Sequence, residues 1–302
     1  MERLDLLRKV IYIKKIQGQF RRYRLEKLQE KKITSYLIDQ NIKYIGEMRG
    51  SDRSGFGIQK WNDGAHYIGN WKNNRANGIG KFKYSDGDEF KGEFINDRAN
   101  GYGLYYHLPG AIYEGTWIED KQFNLGYEIW KNKSHYMGAF VDGKKNGIGK
   151  YIWMDGSYFE GEWFENTLNG YGIYKFKDGR CFIGQWKNNL MNGYGEYDWG
   201  DGRKYIGYYV NDKKEGFGIY IWSEERAFFG FWKDGKQQGV GKYFNKGESK
   251  YGFWDQGKRI KWYETLEESL LHLTPDQIEF KESFSFETKE IIKFIEDFQK
   301  NI

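Results

Sequence analysis

The chain has 302 residues, a net charge of +5 and a mean hydropathy of -0.87. It contains no run of about 18 apolar residues, which excludes a transmembrane helix, and its one cysteine excludes an intrachain disulfide framework. A single cysteine also fits a reducing compartment, so we expect a cytoplasmic protein. The side chains that can be buried are mainly aromatic, 12 Trp, 25 Tyr and 22 Phe, set among 40 Gly residues.

The first segment, residues 1–43, carries 12 Lys and Arg residues against 5 Asp and Glu residues, a net charge of +7. Residues 3–33 contain no proline, are rich in helix formers and have spaced apolar side chains. This pattern predicts a basic amphipathic helix followed by a short lead-in.

Part of this helix, from Ile16 to Lys27, resembles an IQ motif, in which an aliphatic residue and Gln are followed by three residues, Arg and Gly. Arg22 stands where Gly is usual, and Glu26 stands where a base is expected. The resemblance implies that the apolar stripe enters the groove of calmodulin or a centrin-like EF-hand protein. The alternatives are docking on a larger assembly and capping of the first strand. The predicted partner-binding residues are Ile16, Gln17, Phe20, Arg21, Arg22, Tyr23 and Arg24.

From Tyr44 onward the chain repeats itself every 23 residues, nine times, without insertion or deletion. We number the places of each copy from 1. Places 1 and 5 are aromatic in almost every copy, and places 3 and 14 are Gly in all nine. A repeat of this kind buries its apolar face by stacking on its neighbours, so residues 44–263 are predicted to form one array. The copies begin at Tyr44, Tyr67, Phe90, Tyr113, Tyr136, Phe159, Phe182, Tyr205 and Phe228.

Each copy is predicted to form two antiparallel strands. Aromatic residues at places 1 and 5 share one strand face with the Gly at place 3, because side chains alternate with period 2, and places 14, 16 and 18 form a second strand of this kind. Asn-Gly at places 11 and 12 and Asp-Gly at places 20 and 21 are turn sequences. The predicted fold is all-β: an elongated, single-layer antiparallel meander of stacked β-hairpins, with an N-terminal helix and C-terminal helices.

A pairing register follows from this arrangement, with place 5 opposite place 14, place 3 opposite 16 and place 1 opposite 18. Every glycine then has an aromatic neighbour on each side, and rings lie over the bare backbone of the adjacent strand. In the second copy the predicted lattice of rings and glycines comprises Tyr67, Gly69, Trp71, Gly78, Gly80, Phe82 and Tyr84.

The repeat resembles the MORN repeat family, whose unit runs approximately Tyr-x-Gly-x-Trp, Asn-Gly-x-Gly and Asp-Gly. The match covers residues 44 to about 263. The resemblance implies hairpins stacked into an elongated, twisted half-pipe with a groove, and it implies no particular activity. MORN arrays without a catalytic domain occur in ciliary axonemes, including radial spoke heads, and in protist cortical structures.

The face opposite the rings, at places 2, 4, 15 and 17, is largely polar in the early copies and apolar in copies 8 and 9. Residues 264–302 have a net charge of -6 and are predicted to form short helices, the last over residues 287–300. An exposed apolar patch needs a cover, so we expect one or both helices to pack on it or to block the last strand. The alternative is a partner-binding tail. The patch comprises Ile206, Tyr208, Ile219, Ile221, Phe229 and Phe231.

No catalytic constellation is visible in the sequence. The four histidines are scattered without metal-ligand spacing, and the recurring Gly-x-Gly precedes no helix, so it is not a nucleotide-binding loop. The net charge of +4 over the repeats is a weak field for binding nucleic acid. We therefore expect no enzyme, no metal, no cofactor and no nucleic-acid partner.

The expected function is a non-enzymatic scaffold or adaptor in a cytoskeletal assembly, in the cilium or axoneme. Its partners would be other proteins of that assembly, with a calmodulin-like light chain on the N-terminal helix. The alternative is a peripheral membrane adaptor, in which the basic N-terminal helix binds anionic phospholipid with about 1 kcal/mol per base near the surface.

Overall fold

The computed structural model describes residues 34–39, 42–265, 268–269, 271–273 and 278. These residues form two compact units, the first up to Lys121 and the second from Gln122. The predicted N-terminal helix, with its IQ-like residues, and nearly all of the predicted C-terminal helices lie outside the described residues.

Most of the described residues lie in β-strands. The strands of the first unit are β1 (Thr34–Asp39), β2 (Ile42–Arg49), β3 (Asp52–Trp61), β4 (His66–Lys72), β5 (Arg75–Lys83), β6 (Glu89–Ile95), β7 (Arg98–His107) and β8 (Ala111–Ile118). The next strand, β9 (Lys121–Ile129), starts at the last residue of the first unit and otherwise belongs to the second. The second unit continues with β10 (His135–Val141), β11 (Lys144–Ile152), β12 (Tyr158–Phe164), β13 (Thr167–Lys175), β14 (Cys181–Lys187), β15 (Leu190–Asp198), β16 (Lys204–Val210), β17 (Lys213–Ser223), β18 (Arg226–Lys233), β19 (Lys236–Asn245), β20 (Glu248–Asp255) and β21 (Lys258–Tyr263).

Within each unit the sheet is an antiparallel meander, in which each strand pairs with the next strand along the chain. The prediction of an all-β, single-layer antiparallel meander is confirmed for the part of the chain that the structure describes. A sheet of one layer has no second sheet to supply a core. Its faces must therefore be covered by its own side chains.

The predicted pairing register is wrong by two residues. Tyr67 of β4 lies opposite Phe82 of β5, and Gly69 lies opposite Gly80. Gly80 in turn lies opposite Gly92 of β6. Place 3 therefore faces place 14 on both sides, and the glycines form a row across the strands instead of alternating with rings.

The error arises from the position of the hairpin turn. The turn lies at places 7 and 8, as at Asn73 (φ 48°) and Asn74 (φ 66°) between β4 and β5. Two consecutive residues with positive φ are typical of a type I′ turn, whose twist matches that of the strands. The Asn77-Gly78 pair, predicted to be the turn, lies inside β5 instead. There Gly78 (φ 93°) lies at an irregularity in the pairing with β4, which shifts the register.

The Asp-Gly sequences form turns, as predicted. In the second copy Gly87 has a φ of 100°, and its N–H donates to the Tyr84 carbonyl at 3.1 Å. The Asp86 carboxylate accepts the backbone N–H of Asp88 at 3.0 Å. A carboxylate that bonds the backbone two residues further on stabilises a tight turn, so this recurring aspartate has a structural role.

The ring at place 1 covers the glycine row. A Cβ atom on Gly69 would lie 2.5 Å from the Gly80 Cα and 2.5 Å from the Tyr67 hydroxyl oxygen, and one on Gly80 would lie 2.5 Å from Tyr67 Cζ. Glycine is therefore needed at both places to admit the ring. Tyr67 is only 1% exposed, although the sheet has one layer. Rings do cover bare backbone, as expected. One ring, at place 1, covers two paired glycines: Gly69 two residues along its own strand and Gly80 opposite it on the next strand.

We expect Gly80→Ala to lower the free energy of unfolding by about 1–3 kcal/mol, because the added methyl group must displace the Tyr67 ring. Chemical denaturation followed by tryptophan fluorescence measures this change. Lys83→Ala, at the exposed end of the same strand, is the matched control and should change the free energy by less than about 0.5 kcal/mol. Equal stability of the two variants would show that ring–glycine packing does not hold the sheet together.

Candidate functional site

One face of the repeats carries the rings and glycines of the predicted lattice. In the second copy Tyr67 and Trp71 are buried, Phe82 is half-buried and Tyr84 is 38% exposed. The Tyr67 and Trp71 rings meet edge to face with centroids 5.1 Å apart, and the Phe82 and Tyr84 rings are tilted with centroids 4.5 Å apart. The structure thus brings the aromatic members of this lattice onto one surface, with the glycine row beneath them.

The polar atoms of the buried rings bond to backbone carbonyls. The Tyr67 hydroxyl donates to the Asn70 carbonyl at 3.0 Å, and Trp71 Nε1 donates to the Gly57 carbonyl of β3 at 3.2 Å. A buried Tyr or Trp needs such a partner, because its polar atom has lost water. The tryptophan bond recurs from Trp117 to Gly103, Trp163 to Gly149, Trp186 to Gly172 and Trp232 to Gly218.

The buried tyrosines stay neutral over the physiological pH range. Burial raises the pKa of Tyr44 to about 12, and it raises the pKa of Tyr67, Tyr136 and Tyr205 further. These hydroxyls therefore remain hydrogen-bond donors to the backbone. Their role is to hold the sheet.

Place 10 is a candidate binding position that the sequence reasoning missed. Where the neighbouring places are aromatic, its side chain lies among four rings, which we call a four-ring cage: place 18 of the preceding copy, places 1 and 16 of the same copy and place 5 of the next copy. In copy 8 these rings are Trp199, Tyr205, Tyr220 and Trp232. The Nζ atom of Lys214 lies 5.2, 5.1, 4.5 and 4.7 Å from their respective centroids.

The cage surrounds the Lys214 ammonium group with ring faces in place of water. Ring faces attract a cation, but they do not fully replace its hydration, and burial lowers the pKa of Lys214 to about 8. The adjacent Lys213 is exposed and donates to the Asp234 carboxylate at 2.8 Å, which raises its pKa. Two neighbouring lysines therefore have opposite pKa shifts.

Copy 5 holds a second caged lysine. Lys145 Nζ lies 4.9 Å from the centroid of Trp130, 5.3 Å from that of Tyr136 and 5.8 Å from that of Tyr151. The Glu128 carboxylate lies 3.8 Å from Lys145 Nζ, at a place that is aromatic in most copies. Burial nevertheless lowers the pKa of Lys145. The cage is thus a recurring site for a cation. Only the true register, which sets place 10 opposite place 5, makes it visible.

The predicted apolar patch lies on the reverse face of copies 8 and 9, and its central residues are buried. Ile219, Ile221 and Phe229 belong to one cluster with Ala227 and Phe244. The other patch residues, Ile206, Tyr208 and Phe231, are half-buried. Nearly all of the helices expected to cover this patch lie outside the described residues, so that part stays a prediction.

The reverse face of the second unit also carries an open cleft of 480 Å³. Tyr171 stands in it 55% exposed, and its backbone N–H donates to the Glu162 carboxylate at 3.1 Å. An exposed ring held by a fixed backbone suits a protein contact. The cleft is lined by Glu162, Asn169, Gly170, Tyr171, Gln185, Trp186, Lys187, Asn192 and Gly193.

Among the residues that the structure describes, no group of three or more His, Cys, Asp or Glu side chains is arranged to hold a metal ion. None of the described helical segments has the length and apolarity needed to cross a membrane.

We expect the Lys214 side chain to titrate near pH 8, well below Lys213, because the cage buries one ammonium group and Asp234 stabilises the other. Side-chain NMR of selectively labelled lysines at increasing pH measures the pKa values of Lys213 and Lys214. Lys214→Met identifies the shifted signal by its loss. A pKa of Lys214 at or above the ordinary lysine value of 10.5 would show that the rings do not enclose its ammonium group in solution.

Comparison with known proteins supports this architecture. The family model described as "MORN repeat" matches nine segments: residues 44–66, 67–89, 90–107, 113–135, 136–158, 159–179, 182–202, 205–224 and 228–249. No curated protein matches the chain.

Two solved structures resemble the chain weakly. A mutant of the TCP10 domain of CPAP from Danio rerio is 12% identical, with a TM-score of 0.37, over 68% of this chain and 97% of that one. The TCP domain of SAS-4 from Drosophila melanogaster, in complex with a proline-rich motif of Ana2, is 11% identical, with a TM-score of 0.34, over 52% of this chain and 86% of that one. Likeness at these TM-scores carries no conclusion about function. The nine matched segments span more than half of the chain, and the chain belongs to the MORN repeat family.

Proposed function

We propose that this MORN repeat protein is a non-enzymatic scaffold or adaptor that positions other proteins in a cytoskeletal assembly, in the cilium or axoneme. The observation that carries the proposal is the repeat itself: nine copies, which within each unit form a one-layer sheet and present side chains of regular spacing. Neighbouring copies of a unit thus offer equivalent groups side by side, which suits the binding of extended partners.

The recurring polar groups of the repeat serve the sheet itself, which supports a non-enzymatic role. The turn aspartates accept backbone N–H groups, as Asp63 does from Ala65 at 2.9 Å and Asp155 from Ser157 at 3.0 Å. The buried tyrosine hydroxyls donate to carbonyls and have raised pKa values. General acid–base catalysis works best with a group whose pKa lies near the operating pH, and burial moves the pKa of these tyrosine hydroxyls away from it.

Both faces of the repeats present features typical of protein contacts. On one face, rings of fixed geometry form cages around place 10. On the other, the 480 Å³ cleft presents the half-exposed ring of Tyr171 among amide and carboxylate groups. Aromatic side chains dominate binding energy at protein interfaces, because a rigid ring loses little conformational entropy on binding.

The basic N-terminal segment supplies a separate attachment. Residues 1–43 have a net charge of +7, and the IQ-like sequence from Ile16 to Arg24 fits a calmodulin or centrin-like light chain. The alternative function, a peripheral membrane adaptor, depends on the same charge, since a cluster of bases is attracted to anionic phospholipid.

Proximity labelling by the full-length chain in its native cell tests the scaffold proposal. We expect enrichment of cytoskeletal proteins, including an EF-hand protein, because a scaffold is defined by its neighbours. A labelling enzyme expressed alone at the same level is the control. Enrichment of membrane proteins without cytoskeletal ones would contradict the proposal.

Co-sedimentation with vesicles of phosphatidylserine and phosphatidylcholine tests the membrane alternative. If that alternative holds, the triple charge reversal of Arg21, Arg22 and Arg24 to Glu should weaken binding at physiological salt at least tenfold, because each lost base removes about 1 kcal/mol and each added Glu is repelled. The control variant reverses the charge of three exposed lysines of the repeats, Lys60, Lys83 and Lys187, by substitution with Glu. Absence of vesicle binding by the wild-type chain would remove the alternative.

A further inference from the structure

The four-ring cage also exists where place 10 carries no cation. In copy 3 the rings of Tyr84, Phe90, Tyr105 and Trp117 surround Ala99. The centroids of Tyr84 and Tyr105 are 6.0 Å apart, those of Tyr105 and Trp117 5.9 Å and those of Phe90 and Trp117 5.3 Å. An alanine side chain ends at Cβ, so residue 99 itself places nothing among these rings.

The rings of copy 3 match those around a caged lysine. In copy 8 the corresponding distances are 5.4 Å from Trp199 to Tyr220, 5.9 Å from Tyr220 to Trp232 and 5.3 Å from Tyr205 to Trp232. Two of the three distances are the same as in copy 3. Lys214 occupies the centre of the copy 8 cage, so the same rings in copy 3 have the geometry of a lysine site.

The charge at the edge of the cage differs between the lysine-centred and the alanine-centred cages. We call the residue at place 8 of the next copy the rim residue, because it forms a hydrogen bond with the backbone at place 10. Asn166 accepts the backbone N–H of Lys145 at 2.8 Å, and Gly235 N–H donates to the Lys214 carbonyl at 2.9 Å, so both lysine cages have a neutral residue here. In copy 3 this residue is Asp120, which accepts the N–H of Ala99 at 2.6 Å. The cage without its own cation therefore has a carboxylate at its rim.

A second carboxylate reinforces the negative charge at copy 3. Asp88 accepts the Tyr105 hydroxyl at 2.6 Å. Burial alone would raise the pKa of Asp88, but hydrogen bonds from Tyr105, the Leu108 N–H and His107 lower it, so this carboxylate stays charged. The pKa of the Tyr84 hydroxyl is raised by burial and then by Asp120, Asp86 and Asp88. Three carboxylates thus act on the rings of one cage.

Copy 2 repeats the arrangement. Ala76 stands at its centre, and the Asp97 carboxylate accepts the Ala76 N–H at 2.6 Å. The rings of this cage are Trp61, Tyr67, Phe82 and Phe94. Both alanine-centred cages of the first unit therefore have an aspartate at this place, whereas both lysine-centred cages of the second unit have a neutral residue there. The carboxylate of the copy 5 cage, Glu128, lies instead beside the lysine itself.

We propose that the four-ring cages of copies 2 and 3 bind lysine side chains of a basic segment of a partner protein. The rings provide the cation–π surface that Lys145 and Lys214 occupy in copies 5 and 8, and Asp97 and Asp120 supply the complementary charge. Ala99 at the centre is 6% exposed, whereas Tyr84 is 38% exposed and Tyr105 is half-buried, so an ammonium group would approach over the edges of these two rings. The proposal rests on the scaffold function and names the chemistry of one of its partners.

The spacing of the two cages selects the conformation of that segment. Consecutive cages are two strands apart, a distance of about 10 Å. A polyproline II helix has three residues per turn and advances about 9 Å per turn. A segment with lysines three residues apart, in this conformation and running across the strands, would place one lysine in each cage.

Fluorescence anisotropy with the full-length protein and a labelled synthetic peptide, Pro-Lys-Pro-Pro-Lys-Pro, tests the proposal. We expect saturable binding that is lost when both lysines are acetylated, because the rings attract a cation and not an amide. Ala99→Lys should weaken binding about tenfold, since the chain's own lysine would fill the cage as in copies 5 and 8. Circular dichroism checks that this variant folds.

Asp120→Asn is the second variant, and it keeps the backbone hydrogen bond, as Asn166 and Asn189 do in other copies. It should weaken binding about threefold through lost charge alone. Leu168→Lys, in a cage of copy 6, is the matched control and should leave binding unchanged. Lys214→Ala opens a cage with a neutral rim and should not weaken binding either.

Equal binding by the wild type, Ala99→Lys and Asp120→Asn, or equal binding of the acetylated peptide, would overturn the proposal. Absence of peptide binding by the wild type would overturn it as well. Each of these results would leave the scaffold function standing if proximity labelling still recovers cytoskeletal neighbours. Failure of the labelling experiment together with specific peptide binding would instead refute the cytoskeletal setting and keep the lysine site.

Discussion

The contact between an aromatic ring and a row of glycines is the interaction on which the rest of this molecule depends. A one-layer sheet cannot bury side chains against a second sheet, so the only surface available to a ring is the backbone of the sheet itself. Tyr67 reaches that surface because neither Gly69 nor Gly80 has a Cβ atom to hold it away. The ring is then buried, and its hydroxyl bonds a carbonyl of its own strand.

The same contact explains why the repeat varies so little. A ring at place 1 such as Tyr67 lies on two glycines. In eight copies it also meets the ring at place 5, as Tyr67 meets Trp71 edge to face at 5.1 Å. A larger residue at place 3 or 14 would disturb both contacts at once. Positions that touch the rings without supporting them are freer to vary among the nine copies.

Place 10 is such a position. Alanine, leucine and lysine all occur there without a change in the surrounding rings: the distance from the place 16 ring to the next place 5 ring is 5.9 Å around Ala99, 6.0 Å around Leu168 and 5.9 Å around Lys214. The side chain at place 10 and the residue at its rim set the local charge. The same arrangement of rings can therefore hold a lysine of the chain itself, or, where place 10 is alanine, a lysine of a partner protein.

The sequence by itself determined the repeat length, the strand content, the one-layer meander and the Asp-Gly turns, because these depend on local periodicity and on residues that tolerate positive φ. It did not determine the register. A shift of two residues keeps every side chain on its own face, so the alternation of residue types along a strand does not distinguish the two registers. Only the tertiary structure showed that Asn73 and Asn74 form the hairpin turn, that Gly78 lies within a strand and that glycine faces glycine. The cages followed from that register, since their four rings come from three successive copies and meet only when the strands are correctly paired.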